Sequence, residues 1–150
     1  MKQLMLGSFL LLLPFIANGQ QAAIVANSNH LAKAGGTLTI RAIASFEEAP
    51  GAIGWSIMLP PGWSLVDTSG PCRPEIAPPP GAIGKLEWAF VSVPASPAKF
   101  ELTVSYPAGL SAGQSVSAEM LVCSNGESKS VATNRLSFYA TAARLKPREN

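Results

Sequence analysis

The stretch Lys99-Phe100-Glu101-Leu102-Thr103-Val104-Ser105-Tyr106 decides the fold. Phe100, Leu102, Val104 and Tyr106 share one phase, while Lys99, Glu101, Thr103 and Ser105 share the other. Successive side chains of a strand point to opposite faces, so this alternation predicts a strand with one face in a core and one in water.

The same period runs outward in both directions. Upstream, Leu86, Trp88 and Phe90 alternate with Lys85 and Glu87, and Ile53, Trp55, Ile57 and Leu59 are in phase across Ala52 to Leu59. Thr37 to Phe46 sets Leu38, Ile40 and Ala42 against Thr39 and Arg41, with Ala23-Ile24-Val25 as a first strand and Trp63 to Thr68 as a short one. Downstream, Val116, Ala118, Met120 and Val122 are in phase within Ser115 to Cys123, and a last strand from Ser130 to Ala140 carries Leu136 and Phe138. Turn chemistry separates the runs at Gly35-Gly36, Glu47 to Gly51, Pro60-Pro61-Gly62, Pro94 to Pro97, Pro107 to Gly113 and Ser124-Asn125-Gly126. Prolines between Pro50 and Pro107 leave no room for a long helix. About eight or nine strands with turns at such spacing predict a single all-β sandwich.

The amino terminus is of another kind. Lys2 precedes an apolar run from Leu4 to Ile16, followed by the small residues Ala17-Asn18-Gly19. That order is a secretory signal peptide, with cleavage expected after Gly19. The run is shorter than the roughly 20 residues that cross a bilayer as a helix, so no membrane span is expected. The chain of 150 residues then divides into a leader over 1–19, a sandwich over 20–142 and a basic tail over 143–150 with Arg144, Lys146 and Arg148. Losing Lys2 with the leader leaves ten basic residues against nine acidic ones. No basic stripe crosses the domain, which argues against a nucleic-acid surface.

Export bears on the only two cysteines. In an oxidising compartment Cys72 and Cys123 are expected to pair. The closed loop of about fifty residues would make that bond worth about 4 kcal/mol. It would staple the irregular, proline-rich stretch Ser69 to Gly84 to the strand holding Cys123.

Chemistry-bearing groups are sparse. His30 and Asp67 are the only histidine and the only aspartate, too few for a metal site or an oriented triad. Glu47-Glu48 reads as a solvated turn pair, and no phosphate-cradling loop opens a helix. No cofactor is implied and catalysis is not expected. Trp55 and Trp88 are in phase with core residues. Trp63 after its Pro-Pro-Gly turn, Tyr139 beside Phe138, and Arg73 and Glu75 in the irregular loop are the candidate ligand-surface residues.

The succession Gly35-Gly36-Thr37-Leu38-Thr39-Ile40, Gly51-Ala52-Ile53-Gly54-Trp55, Leu59-Pro60-Pro61-Gly62-Trp63, Leu86-Glu87-Trp88-Ala89-Phe90, Val93-Pro94-Ala95-Ser96-Pro97 and Tyr106-Pro107-Ala108-Gly109 resembles the cohesin-like, immunoglobulin-like sandwich modules of bacterial secreted and cell-surface proteins. The proline-rich stretch Ser69 to Gly84 departs from that pattern. Cohesin-type modules dock protein partners on a sheet face and related sandwiches bind glycans. The leader, the sandwich pattern and the sparse catalytic groups point to a secreted, non-catalytic binding or adhesion module with a protein or carbohydrate ligand, acting through a sheet face or the Ser69–Gly84 loop. The other readings are a structural subunit of a surface assembly, joined through sheet edges, and a secreted hydrolase of unfamiliar type relying on His30 or Asp67. Intact-mass measurement of the exported protein is expected to show a chain beginning at Gln20. A mass that retains the residues before it would refute the leader.

Overall fold

The computed structural model describes residues 19–110 and 113–140. The leader up to Asn18 and the basic tail lie outside the described residues. Among those described are ten strands and no helix: β1 (Gln21–Ala26), β2 (His30–Leu31), β3 (Gly36–Ser45), β4 (Ala52–Met58), β5 (Ser64–Ser69), β6 (Lys85–Phe90), β7 (Ala98–Tyr106), β8 (Gln114–Ser124), β9 (Glu127–Ala132) and β10 (Leu136–Ala140). They form two sheets. One has the order β1-β3-β7-β5, the other β2-β10-β8-β4-β6 with β9 added on β8. Every pairing is antiparallel except the short contact of β10 with β2.

The period-two residues meet between the sheets. Phe100 on β7 projects from the four-stranded sheet onto Trp55, Trp88 and Phe90 of the six-stranded one, with ring centroids 6.0, 5.5 and 5.9 Å away. Such tilted and edge-on contacts suit the ring quadrupoles and add about 0.5–1.5 kcal/mol per pair beyond area burial. A second cluster closes the other end. Trp63 is fully buried against Tyr106 at 5.6 Å and Phe138 at 5.3 Å. This corrects the expectation of Trp63 as a ligand-surface residue. The Pro60-Pro61-Gly62 turn, with Gly62 at φ 83°, directs the chain back so that the indole enters the core. The Trp88 indole N–H donates to Thr68 Oγ1 at 3.0 Å, whereas those of Trp55 and Trp63 are buried without a partner.

The carboxy-terminal strand expected over Ser130 to Ala140 is in fact two. Asn134 interrupts it because its side-chain amide serves β1: Ile24 N donates to Asn134 Oδ1 at 2.9 Å, and Asn134 Nδ2 donates to Ile24 O at 2.8 Å. One side chain thus takes the place of a neighbouring strand on that sheet edge. The hairpin of β8 and β9 turns at Asn125-Gly126, both at positive φ, as expected for a two-residue turn of this type.

The expected Cys72–Cys123 bond is absent, and both cysteines are free thiols. Cys72 lies in the loop after β5, and Cys123 in β8. The Cys72 backbone N–H donates to Lys99 O on β7 of the four-stranded sheet at 3.0 Å. Cys123 lies on β8 of the other sheet, its sulfur 3.3 Å from Ser128 Oγ on β9. Backbone hydrogen bonds hold the irregular loop instead: Ile76 N to Ala89 O, Ala89 N to Ile76 O, Leu65 N to Ala82 O and Gly81 N to Leu65 O. Truncating Phe100 to alanine is expected to cost about 3–5 kcal/mol in denaturant unfolding. A cost below about 1 kcal/mol would show that the two sheets do not depend on it.

Candidate binding surface

Because the inward phase of each strand is committed to the core, the outward phases define two sheet faces. On the four-stranded sheet, register places Thr39 opposite Thr103, Thr37 opposite Ser105, and Arg41 opposite Glu101. Arg41 Nη2 lies 2.6 Å from Glu101 Oε1 in an exposed ion pair. Along β3 and β7 this face is mostly polar, broken by half-buried Ile43 opposite Lys99, and the flanking strands expose Val25 and Val66 singly.

The six-stranded sheet differs. Trp55 pairs with Trp88 on β6 and Met120 on β8, both inward, so the row beside them faces out: Ala89, Gly54 and Leu121 side by side. Ile76 pairs with Ala89 and extends this row beyond β6. Ile76 is 57% and Leu121 42% exposed, and they wall a shallow depression of about 310 Å³ over Gly54 and Ala89. Gly54 has no steric need to be glycine. A Cβ there would sit 3.8 Å from Leu121 Cβ, an ordinary contact. Its missing side chain leaves the floor of the depression open.

Two residues along the same face, Met58 (46% exposed) and Ile83 (72%) line a second depression of about 430 Å³ with Pro61 and Ser117. Between the two runs a polar row, Glu87-Ser56-Glu119. Tyr139 is on this face as well, exposed on β10 next to buried Phe138. Ser137 pairs with Ser115, which places Tyr139 past the end of β8 and apart from the depressions.

The loop residues have unequal parts. Arg73 is exposed and makes no ion pair among the described residues. Glu75 is a structural clamp: its carboxylate accepts from Val91 N at 2.9 Å and Ser92 N at 3.0 Å. Those backbone donors hold its carboxyl below the ordinary value near 4.5. The clamp adjoins Ile76, so it fixes one wall of the first depression. Sequence reading assigned neither depression, because Gly54, Ile76, Leu121 and Met58 form a row only once the strand register is known.

The sequence candidates for chemistry are not brought together. His30 lies exposed on β2 of one sheet and Asp67 on β5 of the other, while Glu47 and Glu48 stay in the turn after β3. No group of three His, Cys, Asp or Glu converges among the described residues. No helix among the described residues is long and apolar enough to cross a membrane.

No family model and no curated protein matches the sequence. Solved structures do match in fold. A non-cellulosomal cohesin from Archaeoglobus fulgidus aligns over 83% of this chain and 94% of its own, with a TM-score of 0.52 at 12% identity. A putative membrane-anchored protein from Corynebacterium diphtheriae aligns over 91% of this chain and 38% of its own, with 0.54 at 14%. The C-terminal domain of the Streptococcus pyogenes antigen I/II-family protein AspA aligns over 80% and 46%, with 0.50 at 12%. The chain therefore spans nearly all of the cohesin but less than half of the other two. The protein has the fold of a cohesin-like β-sandwich, as its turn and core residues led one to expect.

Replacing Glu75 by glutamine is expected to loosen the loop in a pH-dependent way. A carboxyl held below its ordinary value stabilises the fold above that value, and the benefit fades as pH falls through the lowered one. The melting temperature of wild type should exceed that of Glu75→Gln at neutral pH, and the gap should narrow as pH falls below the ordinary carboxylate value near 4.5. A gap independent of pH would contradict the clamp.

Proposed function

We propose that this chain is an exported, non-catalytic binding module that docks a protein partner on the outer face of its six-stranded sheet. The observation that carries the reading is the contrast of faces: on the four-stranded sheet Ile43, Val25 and Val66 are scattered among polar pairs, whereas Ile76, Ala89, Gly54 and Leu121 line up side by side on the other. An aligned apolar row exposed on a sheet face is a mark of an interaction surface. The tryptophans that would stack on a glycan, Trp55, Trp63 and Trp88, are all in the core, which leaves Tyr139, apart from the depressions, as the exposed aromatic ring among the described residues. The likeness to a cohesin and to domains of surface proteins supports docking and a place outside the cell, as does the leader.

The test is capture from an envelope extract of the producing cells on immobilised mature protein. Leu121→Glu and Gly54→Leu should each reduce retention of the captured partner at least about tenfold, the equivalent of losing one buried leucine contact. Thr103→Glu on the other sheet should retain it, with circular dichroism confirming that all variants fold. Equal retention by Leu121→Glu and wild type, or loss with Thr103→Glu alone, would overturn the assignment of the face.

A further inference from the structure

The two depressions and the row between them say what the partner should carry. Gly54 and Met58 are four residues apart on β4, which at about 3.3 Å per residue separates the depressions by about 13 Å. In the row between, Ser56 is flanked by Glu87 on one side and Glu119 on the other. Two strand spacings put these carboxylate-bearing residues roughly 10 Å apart across the face. Glu119 accepts from Ser130 Oγ and so has a fixed place on β8. Glu87 is 73% exposed, and its contact with Lys85 Nζ, at 3.9 Å, is at the limit of an ion pair. Lys85 lies opposite Met58, one row away. The acidic row therefore crosses the path from Gly54 to Met58, and Lys85 and Ser117 flank Met58 on its own row.

Resting on the docking face proposed above, we infer that the partner presents two apolar side chains about 13 Å apart with an arginine or lysine between them. The apolar side chains fill the depressions over Gly54 and beside Met58, and the cation sits over Ser56 between the two carboxylates. The apolar contacts supply most of the affinity. The acidic row supplies discrimination, since a partner with an acid at the middle position would bring like charges together as water leaves.

Defined peptides test this directly. An alanine-rich helix satisfies its own backbone while lying on a sheet face, and leucines eight residues apart on it stand about 12 Å apart. Three such peptides differ only in the residue midway between the leucines: arginine, glutamine or glutamate. Each is titrated by NMR into labelled mature protein up to about 1 mM. The arginine peptide should shift amides of Gly54 to Met58, Lys85 to Ala89 and Ser117 to Leu121, and bind about tenfold tighter than the glutamate peptide. That preference should collapse in the Glu87→Gln, Glu119→Gln double variant while the shifted amides stay the same.

Equal binding of the three peptides on this face would overturn the inference and leave the docking face standing. Shifts confined to other surfaces, or no shifts at all, would overturn both.

Discussion

Phe100 is the residue through which the two sheets meet. It stands on β7, one of the two central strands of the four-stranded sheet, and touches three aromatic rings of the other, Trp55, Trp88 and Phe90. Face-to-face sheets pack about 10 Å apart, and large rings interdigitating across that gap fix the phase of every strand that supplies one. A slip of one residue on β4 would send Trp55 to solvent and Gly54 into the core. The aromatic contact therefore sets the inner surface and, by the same constraint, decides which residues are left outside.

The outside of the six-stranded sheet follows from that register. With Trp55, Trp88 and Met120 turned in, the residues one step away turn out, and they align as Ala89, Gly54 and Leu121. The irregular loop completes the row. Glu75 locks onto the backbone at the end of β6, Ile76 bridges to Ala89, and an exposed isoleucine becomes the wall of a depression. Packing inside, a carboxylate clamp at the edge and an apolar row outside are thus successive steps of one arrangement.

The strands were legible in the sequence because their period is local. Lys99 to Tyr106 announces β7 without reference to any other segment, and Trp55 and Trp88 lie on the buried side where their phase puts them. Three features needed the third dimension. Asn134 splits the last strand because its amide is required by Ile24, far away in sequence. Trp63 is buried because its turn reverses the chain. The expectation of export makes two thiols candidates for oxidation, but the Cys72 backbone is tied to Lys99 on β7, the Cys123 sulfur lies against Ser128 on β9, and the two are not bonded to each other. The exposed apolar row was illegible for a related reason. Gly54, Leu121 and Ile76 each look unremarkable in their own segments, and only pairing across β6, β4 and β8 makes them one surface.

The account stands on that surface being where a partner lands. The most direct measurement places a photoreactive benzoylphenylalanine at Leu121 in one form of the protein and at Thr39, on the opposite sheet, in another, then irradiates the native producing cells. Adduct from position 121 with none from position 39 is the expected result. Adduct from position 39 alone, or from neither position, would contradict it.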